Sequence, residues 1–271
     1  MLKQRLISAF IGAIFVILIL FSSEAVVSTA IALVTVIGLT EMYKCLGYFK
    51  DNKMLAVIGY TFSALYMCLN LVFKVKLFLN FQAVAYIMVL FVYMVLTHNK
   101  TSFAKAAQSF MATMYITVCF IHIVFIRREV AGFFLIWLVF LTAWMTDTFA
   151  YTFGMLFGKH KLIPNVSPKK SVEGAIGGVI GCVVINVIIS AIVAKNTGLY
   201  VNYINLVIML ILASIVSQFG DLAASCIKRD ENIKDFGNIM PGHGGILDRC
   251  DSVLFVAPFM CYFVNLFVVF C

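Results

Sequence analysis

Apolar residues in this chain fall in long blocks separated by short polar breaks. Nine blocks stand out, at 6–23, 25–46, 54–73, 77–97, 106–126, 130–158, 172–194, 202–225 and 252–271. Each is near the ~20 residues that a helix rising about 1.5 Å per residue needs to cross a hydrocarbon core about 30 Å thick. Membrane-spanning β-strands would show roughly ten residues of alternating apolar and polar character. Runs such as IGAIFVILILF do not alternate. The pattern predicts an all-α fold, a polytopic integral membrane helical bundle with about nine transmembrane helices. Met1–Arg5 ahead of the first block resembles the start of a signal peptide. No small-residue cleavage pattern follows before Glu24, and more blocks come after it, so an uncleaved first helix is expected.

The polar breaks are unequal. Residues 1–128 have short breaks and carry only three acids, Glu24, Glu41 and Asp51; residues 129–271 carry the other nine, and three of the four prolines fall in two breaks there, 159–171 and 226–251. The first half reads as a transmembrane scaffold and the second as the working region. With the N-terminus in the cytoplasm, 15 lysines and arginines fall on the cytoplasmic side and five on the other. That asymmetry obeys the positive-inside tendency and puts both long polar loops in the cytoplasm. Composition agrees: 63% of residues are hydrophobic and 12% charged, against about 25% charged in a soluble domain. The net charge of +8 would suggest nucleic acid in a soluble chain. Here the basic residues lie between apolar blocks, so topology and anionic headgroups account for them and no nucleic-acid partner is expected. The eight cysteines form no CxxC pair; Cys68, Cys119 and Cys182 lie inside apolar blocks and read as small buried hydrophobes.

Three polar groups carry the candidate chemistry. Ser217, Asp221, Ser225 and Lys228 are spaced to share one helical face. Such a face in an apolar segment should meet a protein-lined cavity, an internal ion pair or a neighbouring helix, because an unpaired charge in hydrocarbon is costly. Asp248 and Asp251 lie three apart at the start of the last helix, where a carboxylate can cap free N–H groups or hold a metal. Together with Asp221 they suggest a cradle for Mg²⁺, which takes one or two carboxylates plus phosphates and water. Asp147 shares a helical face with Tyr151 and Gly154. Lys169, Lys170 and Ser171 precede a helix start near Val172, and free N–H groups there suit a phosphate. Gly174, Gly177, Gly178 and Gly181 form overlapping GxxxG pairs, which favour close helix packing. PGHGG at 241–245 is a loop by composition; it is neither a Walker A nor a dinucleotide turn. His243 within it could donate to a phosphate, move a proton or serve only the loop. No Ser-His-Asp or Cys-His set is visible, which suits transfer between phosphates, where an ionised phosphate oxygen is already a nucleophile.

The stretch Ser225–Asp251 holds nine of the 32 charged residues in 27 positions. Its pieces, SCIKR, KD at 234–235, PGHGG and DRCD at 248–251, with GDLAAS just upstream, resemble the signature of the phosphatidate cytidylyltransferases, or CDP-diacylglycerol synthases. Residues 143–178 resemble that family's second patterned region through Asp147, FGKHK at 157–161 and SPKKSVEG at 167–174. Many members have Thr-Trp where this chain has Ser171–Val172. The resemblance covers about a quarter of the chain. It implies transfer of CMP from CTP to phosphatidate, giving CDP-diacylglycerol and pyrophosphate for phospholipid biosynthesis. It further implies Mg²⁺, alone or with a second cation, a homodimer, and an active site facing the cytoplasm, at the cell membrane in a bacterium. On that basis Asp221, Asp248 and Asp251 are expected to hold the metal. Lys228, Arg229, Lys234 and Arg249 are expected to neutralise phosphates, and His243 joins the catalytic set. Asp147, Lys170, Ser171 and Ser225 are expected to bind substrate. A transporter, a CDP-alcohol phosphatidyltransferase and a CTP-using lipid kinase are the rival readings; the second lacks its DG and AR pattern here.

Overall fold

The computed structural model describes residues 12, 14–72, 79–98, 100–239, 242 and 244–271. After a helical stretch over 14–21 come α1 (Glu24–Cys45), the single turn α2 (Tyr48–Asp51), α3 (Lys53–Leu71), α4 (Leu79–Leu96) and α5 (Phe103–Arg127). The second half contains α6 (Gly132–Phe157), the strands β1 (Lys161–Ile163) and β2 (Ser167–Ser171), α7 (Val172–Thr197), α8 (Tyr203–Asp230) and α9 (Leu247–Leu266). Six of these, α1, α3, α5, α6, α7 and α8, are long and apolar enough to cross a membrane, and α4 is a shorter apolar helix. The protein is therefore an all-α polytopic membrane protein. Most of the block predicted at 6–23 lies outside the described residues; each of the other eight coincides with a helix.

α5 is the central post. It packs against α1, α3, α4, α6 and α9. One apolar core runs from Leu20 to Phe270 and draws on both halves of the chain. Large apolar side chains such as Leu18, Val95, Ile204 and Leu266 stay on the outer surface, as expected where the solvent is lipid. Cys68 is on that surface too, not in the core as its block suggested, because α3 turns that face outward; Cys182 is buried as expected, and Cys119 is half-buried.

Among the described helices, α6 and α7 pack against one another most extensively. A Cβ added at Gly174 would sit 2.6 Å from the Ala150 carbonyl oxygen, and one at Gly178 would sit 2.9 Å from that of Thr146. The glycine stripe thus seats α7 on the backbone of α6, as its spacing predicts. The loop expected at 159–171 instead forms an antiparallel hairpin, with Lys161 opposite Ser171 and Ile163 opposite Ser167. Glu173 secures its base: the carboxylate accepts from the backbone N–H groups of Lys159 (3.1 Å) and His160 (3.2 Å) and pairs with His160 Nδ1 (2.6 Å).

Three boundaries differ by five residues from the hydropathy pattern. α8 continues five residues past its apolar block. It stops in a Schellman turn, with Asn232 left-handed (φ 56°) and the Ile233 N–H donating to the Lys228 carbonyl at 2.9 Å. α9 begins at Leu247, five residues earlier than its block, because an acid from α1 satisfies its first N–H groups. It also ends earlier, at Leu266: residues 269–271 run back as a bridge to residues 200–202, with Asn202 N–H to Val269 O at 2.9 Å.

Candidate active site

One end of the bundle gathers the last turns of α1, α6 and α8, the hairpin, and the first turns of α7 and α9. The opposite end is tied by Arg128, which pairs with Glu24 at 2.6 Å and donates to the free carbonyls of Asn70 and Leu71 at 3.0 Å each. Every candidate residue within the described set lies at the first end.

A pocket of about 470 Å³ opens between α6, α7, α8 and the hairpin. Its lining includes Asp147, Tyr151, Lys161, Lys169, Lys170, Ser171, Gln218 and Asp221. Lys170 at the end of β2 forms an ion pair with Asp221 of α8, and its charge also acts on Asp147. Three lysines against two aspartates leave the lining with a formal charge of +1. The carboxylates of Asp147, Asp221 and Asp251 are close enough to repel one another. Asp147 accepts from Ser252 Oγ at 3.3 Å, Asp251 accepts from the Ser252 N–H at 2.8 Å, and the Arg249 charge offsets that of Asp147. α8 approaches α9 here because residue 220 is glycine: an added Cβ would meet the Asp251 carbonyl oxygen at 2.7 Å.

Asp248 faces elsewhere. Its Oδ1 pairs with Lys228 Nζ at 2.8 Å, and its Oδ2 accepts from the N–H groups of Phe236 (2.8 Å) and Gly245 (2.9 Å). Both oxygens are used in fixing the loop after α8, so the expected trio of Asp221, Asp248 and Asp251 is not gathered around one point; Asp147, not Asp248, shares the pocket lining with Asp221. The expected face of α8 divides in the same way. Ser217 is fully buried, Asp221 lines the pocket, Ser225 is half-buried, and Lys228 turns to Asp248 with its ammonium 5.2 Å from the Phe236 ring. Ser171 lines the pocket while capping α7, its hydroxyl accepting from the Gly174 N–H at 3.1 Å. Arg229 and Lys234 are exposed on the polar rim, away from the pocket lining, and His243 lies outside the described residues.

Among the described residues, no three His, Cys, Asp or Glu side chains are grouped so as to hold a metal ion. The carboxylate oxygens of Asp147 and Asp221 are nevertheless of the hard type that Mg²⁺ takes one or two at a time, with phosphates and water completing its shell. Beside the polar pocket, and sharing Leu162, Ala175 and Gln218 with it, lies an apolar groove of about 370 Å³ between α7 and α8. Ile176, Ile215 and Phe219 line it and are open to the outside of the bundle. A polar pocket continuous with a lipid-facing groove fits a substrate with a charged head and an apolar tail.

One acid in this region escaped the sequence reading. Glu41, near the end of α1, is 3% exposed and accepts from the N–H groups of Ile246 and Leu247, both at 2.9 Å. Its only signal was an acid inside an apolar block.

Residues 3–267 match the cytidylyltransferase family. Over 172 residues the chain is 37% identical to a protein of Staphylococcus saprophyticus named phosphatidate cytidylyltransferase, and 36% identical to one of the same name from Staphylococcus haemolyticus. Both alignments cover 64% of this chain and 64% of the relative. A Staphylococcus aureus protein of that name is 34% identical over 168 residues, 62% of each chain. The chain thus spans less than two thirds of the length of these relatives.

Proposed function

The chain belongs to the cytidylyltransferase family, and from that premise we propose that it transfers CMP from CTP to phosphatidate, making CDP-diacylglycerol for phospholipid biosynthesis. The observation that carries this reading is the continuity between the Asp147–Lys170–Asp221 pocket and the apolar groove at Ile176 and Phe219. The names of the relatives support the same reaction.

In this reading the phosphatidate tails lie along the groove and its phosphate reaches the lysines of the hairpin. Lys161, Lys169 and Lys170 bind and orient phosphates, and incoming phosphate competes with Asp221 for the Lys170 ammonium. Arg229, Lys234 and Arg249 on the rim attract the triphosphate. One or two carboxylates among Asp147, Asp221 and Asp251 would hold magnesium, alone or with a second cation, with phosphates completing its shell. When bound, the metal neutralises phosphate charge and favours in-line geometry. A phosphatidate oxygen forms a new P–O bond to the α-phosphorus of CTP, and the bond to the β-phosphate breaks with its electrons leaving on pyrophosphate. An ionised phosphate is its own nucleophile, so no serine or cysteine is required. Positive-inside counting puts the N-terminus and the polar end in the cytoplasm, where CTP is found. Nine transmembrane helices and a homodimer complete the proposal; the homodimer rests on the family resemblance.

The test supplies purified protein in phosphatidate-containing vesicles with CTP labelled at the α- or the γ-phosphorus. Label should enter lipid only from the α position, while γ label appears in pyrophosphate. Entry of γ label would indicate a lipid kinase, and transfer from neither position would remove the proposal.

A further inference from the structure

Glu41 makes no contact with the pocket, yet it is among the most buried acids of the chain. Burying a carboxylate without strong partners is costly, so its surroundings reveal what it holds. α9 lacks a side-chain cap of its own: Ile246 stands at the N-cap position. Glu41 supplies the cap from another helix, one oxygen on the Ile246 N–H and the other on the Leu247 N–H. This exchanges two orphan N–H groups at a helix start for two charge-assisted bonds.

The loop between α8 and α9 closes over the same carboxylate. A Cβ built at Gly237 or at Gly245 would collide with Glu41 Oε1, so both positions must be bare for the loop to fold down. Three further ties hold the loop: Glu231 to Gln108 of α5 at 3.4 Å, the buried Phe236 ring, and Asp248 on the Phe236 and Gly245 N–H groups. The register of α9, and with it the position of Asp251 beside Asp221 and Asp147, follows from where its first turn is fixed.

We infer that Glu41 is a positioning residue: from the N-terminal half of the chain, it caps α9 from another helix and clamps the preceding loop at Gly237 and Gly245, setting the placement of Asp251. The inference rests on the proposed cytidylyl transfer only for its kinetic consequence. Displacements near 1 Å can cost about 10²-fold in rate. Glu41→Ala should therefore lower kcat by about that factor while changing KM for CTP much less, and Glu41→Gln, which keeps one acceptor oxygen, should recover part of the loss. Trypsin should cut after the exposed Lys234 faster in Glu41→Ala than in the parent protein. Gly245→Ala strikes the same contact from the loop side. It should cost much in the parent background and little in Glu41→Ala, where the space is free, a non-additivity expected of touching residues.

Parent-like cleavage at Lys234 in both Glu41 variants, or additive effects of Glu41→Ala and Gly245→Ala on that cleavage, would overturn the inference. If the parent protein lacks CTP–phosphatidate activity, the functional proposal fails, and the proteolysis and double-variant arms still decide the role of Glu41.

Discussion

Asp248→Asn separates two roles for one acid. As a metal ligand, Asp248 would matter for magnesium and little for stability. As a loop anchor, it would matter for stability first. The structure favours the anchor, since Asp248 and Lys228 are 3% and 13% exposed at their side chains and lie 2.8 Å apart. Breaking a buried pair from one side costs about 3–5 kcal/mol, because the remaining charge is left without a partner. Asparagine with its oxygen in the Oδ2 place keeps the Phe236 and Gly245 bonds but turns its amide hydrogens toward the Lys228 ammonium. The lower end, about 3 kcal/mol, is a sound expectation, and at about 1.4 kcal/mol per decade it favours the open loop by roughly 10². The assay compares thermal unfolding in one detergent with the magnesium dependence of turnover. Asp248→Asn should unfold at a clearly lower temperature, and the magnesium concentration for half-maximal activity should stay within about threefold, whereas loss of a ligand or its direct support raises it about 10–100-fold. In a Lys228→Met background the stability cost should shrink by about 0.5–3 kcal/mol, the coupling of residues in contact. Parent-like stability with a magnesium requirement raised tenfold or more would refute the anchor and return Asp248 to the metal.

Two further outcomes follow from the pocket. Lys170→Gln removes a cation from the lining and should raise KM for CTP or phosphatidate by about 10–100-fold, the value of one charge-assisted hydrogen bond of roughly 1.5–3 kcal/mol; steady-state kinetics with each substrate varied checks it. Ser171→Ala removes the cap of α7 and should lower stability by about 1 kcal/mol with KM values nearly unchanged, read from paired unfolding and kinetic measurements; a large rise in KM with unaltered stability would make Ser171 a phosphate ligand.

Much of the architecture was legible because lipid imposes a simple rule. Backbone groups must bond within their own segment, so block length alone announces helices, and eight of the nine blocks coincide with observed ones. The GxxxG stripe also read correctly, since backbone can approach backbone only where side chains are missing. The hairpin at 161–171 was not legible, because SPKKS carries no strand alternation and its pairing is secured by Glu173 from the following helix.

The site divides along the same line. Local spacing identified Asp147, Lys170, Asp221 and Asp251 as polar residues that hydrocarbon would not tolerate alone, and the chain by itself determined that they need partners. It could not say which partners. Asp248 and Asp251 are three residues apart, and periodicity treats them alike; the fold turns one to Lys228 and the loop, and the other toward Asp147 and Asp221. Glu41 and Leu247 are joined across 206 positions. Contacts of that range depend on how helices pack, and no local pattern along the chain encodes them.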